Sequence, residues 1–259
     1  MAILRGSVAG ACLIWFLRLF VAFGLMTSPL HAAEIQVAVA ANFSAPAQKI
    51  AEGFTAATGH TVLFSAASTG KLYAQIKNGA PFAVLLSADE ETPAKLEQEG
   101  LGVSGSRFVY ATGRLILWSK RAGWVDDQGE VLAKGTFAHL AIADPKLAPY
   151  GAAAIEVLEK RGLLERLRPR FVQGENIAQV HPFVASGNAE IGFLALSQVM
   201  RDGVIAKGSG WLVPAALHRP IRQEAILLTK GRENPAASAW LTHLRSEAAQ
   251  TVLRSFGYE

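Results

Sequence analysis

Cysteine is almost absent from this chain of 259 residues: Cys12 is the only one. It lies in an N-terminal stretch whose composition marks it for removal, so the remainder holds no thiol. Disulfides, thiolate metal sites and iron–sulfur clusters are thereby excluded. The histidines past that stretch, His60, His139, His181, His218 and His243, stand too far apart for metal-ligand spacing. No Gly-x-Ser-x-Gly elbow is present to serve a serine hydrolase. A triad of Ser87, Asp89 and His181 has little support, because Asp89-Glu90-Glu91 reads as an acidic helix entrance. Charge is also scarce, with 25 basic against 21 acidic side chains and no basic stripe interleaved with aromatics. Nucleic-acid binding finds no footprint in that pattern. An apolar run of the roughly 18 to 20 residues needed to cross a membrane is missing too, since Arg18 divides the longest candidate.

The first 32 residues carry Arg5 and Arg18 but no acid. An apolar run from Leu19 to Met26 follows, and then Ser28-Pro29-Leu30-His31-Ala32. A basic start, a short apolar core and a small-residue exit predict a secretory signal peptide over residues 1–32, cut after Ala32 or Ala33.

Beyond it, strand-like and helix-like segments alternate. Ile35 to Val39, Thr61 to Phe64, Val84 to Leu86, Phe108 to Tyr110, Leu115 to Trp118, Leu140 to Ala143 and Ile191 to Leu196 read as strands. Ala47, Ile50, Ala51 and Phe54 form the stripe of a helix that Gly59 closes. Further helices are expected over Lys71 to Asn78, from the Thr92-Pro93 entrance to Gly100, and over Gly151 to Arg161. Pro235 to Leu244 and Glu247 to Phe256 complete them. Pro182 interrupts the helical run after Asn176, where a kink or a very short helix is expected. The alternation predicts an α/β fold with sheets covered on both faces.

Three junctions between strand and helix are polar: Ala40-Ala41-Asn42-Phe43-Ser44, Ala66-Ala67-Ser68-Thr69-Gly70, and Asp144-Pro145 on to Pro149-Tyr150-Gly151. A helix N-terminus presents unpaired N–H groups and the positive end of its dipole, so small residues and hydroxyls there seat an anion without a lysine or arginine. Each junction alone is an ordinary cap, Asn42 or Ser44 at the first and Ser68 or Thr69 at the second. Three together point to one shared anion.

The order and spacing of further motifs carry a resemblance over the whole chain beyond residue 32. They are Val37-Ala38-Val39-Ala40-Ala41-Asn42-Phe43, Ser68-Thr69-Gly70-Lys71-Leu72-Tyr73-Ala74-Gln75-Ile76, Asn78-Gly79-Ala80-Pro81-Phe82, and Leu86-Ser87-Ala88-Asp89. Asp144-Pro145-Lys146-Leu147-Ala148-Pro149-Tyr150-Gly151 and Gly187-Asn188-Ala189-Glu190-Ile191-Gly192-Phe193 complete the set. With these motifs the chain resembles the periplasmic molybdate-binding proteins of ABC transporters.

The resemblance implies a two-lobed periplasmic-binding-protein fold with the ligand cleft between lobes joined by two crossing strands. Residues 33–111 with 221–259 would form one lobe and residues 112–220 the other, with crossings near Tyr110 to Leu115 and Pro220 to Glu224. By position it implies molybdate contacts from Asn42, from Ser68 and Thr69 (Thr69 fitting better by its distance to Leu72), from Tyr150, and from the backbone N–H of Ile177. Molybdenum would then be held as the oxyanion by these residues, with no direct metal-ion ligand, no catalysis and no cofactor. Tungstate is an expected second ligand, and a membrane permease of an ABC importer the expected partner of a monomeric periplasmic receptor. Two positions depart from the family: Ala195 stands where one branch has a binding tyrosine, and Ala83 replaces an acid read as structural. Receptors for sulfate or for iron share this architecture. An iron receptor calls for clustered tyrosines, and Tyr73, Tyr110, Tyr150 and Tyr258 include no adjacent pair. A secreted hydrolase using Ser68 or Ser87 is the alternative of a different class.

Overall fold

A computed structural model describes residues 32–259; the expected signal peptide, apart from Ala32, lies outside the described residues. Two five-stranded sheets form two lobes. The first sheet is ordered β2 (Thr61–Ala67), β1 (Glu34–Ala40), β3 (Val84–Leu86), β12 (Ile221–Leu227) and β4 (Phe108–Gly113). The second runs β11 (Ser209–Leu212), β5 (Leu115–Ser119), β8 (Ile191–Ala195), β6 (Leu140–Ala143) and β7 (Phe171–Gly174). Both follow one plan. Three strands pair in parallel, and two more add antiparallel at one edge. A small hairpin of β9 (Met200–Arg201) and β10 (Val204–Ile205) stands apart.

The central strands β3, β6 and β8 are continuous apolar runs, as expected of strands covered on both faces. Every residue of β3, β6 and β8 is buried. The Ser44–Thr58 helix buries Ala47, Ile50 and Phe54 on one stripe, and Gly59 ends it in the left-handed region at φ 73°. The helix after β7 spans Ile177–Ser186 with Pro182 inside it, so it is neither broken nor very short. Its first turn needs no internal acceptors, and Asn176 caps it by accepting the Ala178 N–H at 3.0 Å. The Glu91–Gln98 helix begins before the expected Thr92-Pro93 entrance, and the side chain serving its first turn is Asp89, which accepts the Thr92 N–H at 2.9 Å.

Only Arg114 separates β4 in the first sheet from β5 in the second, and β12 carries the chain back. The two crossing segments are hydrogen-bonded to each other, with Ile221 opposite Gly113 and a register shift between Gln223 and Glu224. The C-terminal ends of β1, β2, β6 and β7 each lead towards a helix start: the turn Ala41–Phe43 and the helices Thr69–Lys77, Pro149–Lys160 and Ile177–Ser186. Ligands of open α/β sheets bind outside such carboxyl ends.

Candidate functional site

Asn42, Ser68, Thr69, Tyr150 and Ile177 line one cavity of about 10 Å³, enough for roughly one water molecule. No lysine, arginine, histidine, aspartate or glutamate lines it. The first lobe supplies Asn42, Ser68 and Thr69, and the second Tyr150 and Ile177, each from a helix start or the turn before it. The convergence is therefore of helix N-termini, which are partially positive without carrying a formal charge.

Donors to the cavity differ in how they are held. Ser68 stands at the N-cap position of the Thr69–Lys77 helix yet makes no capping bond. Its hydroxyl, in a residue only 3% exposed, has no hydrogen-bond partner among the described residues. An orphaned buried hydroxyl costs about 1 to 3 kcal/mol, so it calls for an acceptor. Thr69 Oγ1 accepts the Ala88 N–H at 3.2 Å, which fixes its oxygen and leaves its own proton to donate. Tyr150 Oη accepts from Gln223 Nε2 at 3.3 Å, which leaves its own proton free to turn into the cavity. Burial, with the neighbouring Tyr258 hydroxyl, pushes the Tyr150 phenol well above its ordinary value, so it remains a donor. At the fourth corner the Ala178 and Gln179 amides go to Asn176, while the Ile177 amide has no acceptor among the described residues.

The Asn42 side chain is bound within the protein. Both hydrogens of its Nδ2 are spent, on Gln223 Oε1 at 2.9 Å and on Tyr258 Oη at 3.0 Å. Its carbonyl accepts from Ser197 Oγ and Tyr258 Oη, both at 3.0 Å. In this arrangement the Asn42 side chain is tied into the frame, and its backbone N–H is the donor left for the cavity.

That frame contains residues the sequence reading missed. Gln223 is fully buried and also accepts from Tyr110 Oη at 3.0 Å. Tyr258 reaches Ser197 at 3.1 Å, joining the lobes beneath the cage. Three of the four tyrosines therefore meet in space although none is near another in sequence. Burial raises the phenols of Tyr110 and Tyr258, the latter to about 12. Neutral phenols of this kind are hydrogen-bond donors, whereas a ferric ion asks for ionised ones. Polar residues inside an otherwise apolar strand, such as Gln223-Glu224 within β12, are the one signal that pointed here.

A cleft of about 600 Å³ opens beside the cavity and shares Ala88, Ala148 and Pro149 with it. Four of its charges are paired, Arg222 with Glu90 at 2.8 Å and Arg219 with Glu156 at 2.7 Å, while Lys146 and Asp89 also line it. The smaller cavity, with unspent donors, is the better ligand site. Across the lobes, the Gly70 N–H donates to the Leu147 carbonyl at 3.0 Å, and Lys71 pairs with Glu175 at 2.9 Å, both half exposed. A Cβ on Gly70 would lie 3.3 Å from the Leu147 backbone. Lys71 is thus a bridging surface residue and lines no part of the cage.

Ala195 does not line the cavity; the hydroxyl there is that of Tyr150. Ala83 packs against Gly231, where any Cβ would come within 2.8 Å of the Ala83 side chain. His181 stacks on Trp118 at 5.3 Å, and Ser87 bonds to Asp89 at 3.1 Å, so these do not assemble as a triad.

Two α/β lobes, two crossing strands and an uncharged donor cage shared between the lobes define a solute receptor of the periplasmic-binding-protein kind. Residues 35–259 match the model of the bacterial extracellular solute-binding proteins, and the chain belongs to that family, whose members bind and do not catalyse. It is 56% identical over 243 residues to the molybdate-binding protein ModA of Azotobacter vinelandii, covering 93% of this chain and 96% of that protein. It is 50% identical over 231 residues to ModA of Rhodobacter capsulatus, covering 89% and 90%. The solved structure of the Azotobacter vinelandii periplasmic molybdate-binding protein superposes with a TM-score of 0.84 at 40% identity, over 87% of this chain and 98% of that one.

Proposed function

We propose that this protein captures molybdate, and tungstate as well, in the periplasm and delivers it as a monomer to the membrane permease of an ABC importer. The observation that carries this reading is the orphaned Ser68 hydroxyl facing a cage without formal charge. A tetrahedral dianion desolvated in such a cage needs many convergent hydrogen bonds. Ser68, Thr69, Tyr150 and the amides of Asn42 and Ile177 supply them. A cationic side chain would attract any anion, whereas neutral donors at fixed positions select by size and shape. The names borne by the relatives agree with the larger tetrahedral oxyanions.

In this reading residues 33–111 with 221–259 move against residues 112–220 about the paired crossing strands, and the lobes close on the ligand. The signal peptide is removed after Ala32. Ala33 is kept by that cut, and it holds the edge of β1 through bonds to His60 and Thr61.

A thermal-shift panel of molybdate, tungstate, sulfate and phosphate tests the assignment. Ligand at a hundredfold excess over its dissociation constant stabilises by about 2.7 kcal/mol. That raises the melting temperature by roughly 5 to 10 °C in a chain of this size. Molybdate and tungstate produce the rise, with sulfate far weaker. An equal response to sulfate overturns the choice of ligand, and none to any of the four overturns the receptor reading.

A further inference from the structure

The buried hydrogen-bond frame under the cage has a direction. Asn42 Nδ2 donates to Gln223 Oε1 at 2.9 Å, and Gln223 Nε2 donates to Tyr150 Oη at 3.3 Å. A phenol has one proton, and the Gln223 amide presents Tyr150 with a donor, so that proton has to point elsewhere. Two acceptors are open to it: Tyr258 Oη beside it in the ligand-free protein, and an anion in the cavity that Tyr150 lines. Were the amide reversed, its oxygen would take the Tyr150 proton and the phenol would offer lone pairs to an incoming anion. The Asn42 donation and the Tyr110 hydroxyl at 3.0 Å both hold the oxygen end of Gln223 away from Tyr150.

We infer that Gln223 is a positioning residue for anion recognition: it sets Tyr150 as a donor to the ligand, acting from the crossing strand. The inference rests on the oxyanion-receptor reading above. Three further features fit it. Gln223 is fully buried, so its amide bonds to fixed groups and not to water. It stands at the register shift where β12 slips against β4. Gly113, on the facing strand, leaves the necessary space, because a Cβ there would lie 2.0 Å from Tyr150 Oη and 2.5 Å from Gln223 Nε2. The donor from the second lobe is therefore oriented by the segment about which the lobes move. Cage polarity and lobe position become linked through one amide.

The test is a double-mutant cycle read by calorimetric titration of molybdate into the wild type, Gln223→Met, Tyr150→Phe and the double variant. Gln223→Met alone weakens binding by about fivefold or more, the worth of one ordinary hydrogen bond. In the Tyr150→Phe background the same change costs less than about twofold, because the group it orients is gone. A merely structural role predicts equal losses in both backgrounds, and that additivity overturns the inference while leaving the receptor reading intact. Undiminished affinity in Gln223→Met overturns it as well. If the methionine variant does not fold, Gln223→Leu takes its place in the cycle. Should the wild type bind sulfate instead of molybdate, the cycle is run with sulfate. A wild type that binds none of the four oxyanions overturns both readings together.

Discussion

Ser68 and Thr69 are neighbours at one helix start, yet only the Thr69 oxygen is held by the fold, so replacing them should have opposite effects on the stability of the ligand-free protein. Ser68 Oγ is buried without a partner, and carrying such a group costs the ligand-free protein about 1 to 3 kcal/mol. Ser68→Ala removes that burden along with one oxygen atom. The ligand-free variant should melt at the same temperature as the wild type or a few degrees higher, at about 2 to 4 °C per kcal/mol for this length. Its affinity should fall, because a hydrogen bond to a charged acceptor is worth about 1.5 to 3 kcal/mol, or roughly tenfold to 150-fold. Thr69→Val strips the Ala88 N–H of its 3.2 Å acceptor, so the ligand-free protein should lose about 1 to 3 kcal/mol. Scanning calorimetry without ligand and titration with molybdate read the two quantities separately. A Ser68→Ala protein that is less stable but binds normally would make Ser68 a structural cap and refute the reasoning.

Gly113→Ala drives a methyl group into Tyr150 Oη and Gln223 Nε2, and should reduce molybdate affinity by at least about tenfold as the phenol is displaced; a normal titration would show that the crossing strands yield easily. Gly70→Ala places a Cβ 3.3 Å from Leu147, which opposes closure and not folding. Affinity should drop by about threefold to tenfold with the ligand-free melting temperature unchanged, and equal losses in both would point to a fold defect. Burial holds the phenols of Tyr110, Tyr150 and Tyr258 above their ordinary value of about 10. A raised folded-state value stabilises fully below the unfolded value and is lost as pH rises through the folded one. Affinity should therefore be flat from about pH 6 to 9, with stability declining only above about pH 10, and a step near pH 6 to 7 would implicate a histidine instead.

The fold was legible because its signals are local. Alternating apolar strands and capped helices can be counted along the chain, and Gly59 marks a helix end by its own conformational freedom. The positions of the cage were legible for the same reason, as helix starts following strands. The state of each donor was not. That the Thr69 oxygen is held and the Ser68 oxygen is not depends on the Ala88 amide, nineteen residues from Thr69. Gln223 lies 181 residues from Asn42 and 73 from Tyr150, so nothing in its neighbourhood announces their meeting. Pro182 misled the other way: as the sixth residue of its helix it removes one N–H to the Ala178 carbonyl, and the helix nonetheless runs on to Ser186.

The cage is split between the lobes, with Asn42 and Ser68 on one side and Tyr150 and Ile177 on the other. In the proposed function, this division makes unloading a mechanical event. A dianion held by a lysine would leave with a charged partner still pulling on it, and its departure would need competing ions or a change of pH. Here each half alone offers only a few neutral hydrogen bonds, little better than water does. Prising the lobes apart by a few ångströms abolishes the advantage at once, with no proton transferred and no salt required. Tight capture and prompt surrender then coexist in one molecule, and the switch between them is whatever pulls on the two halves.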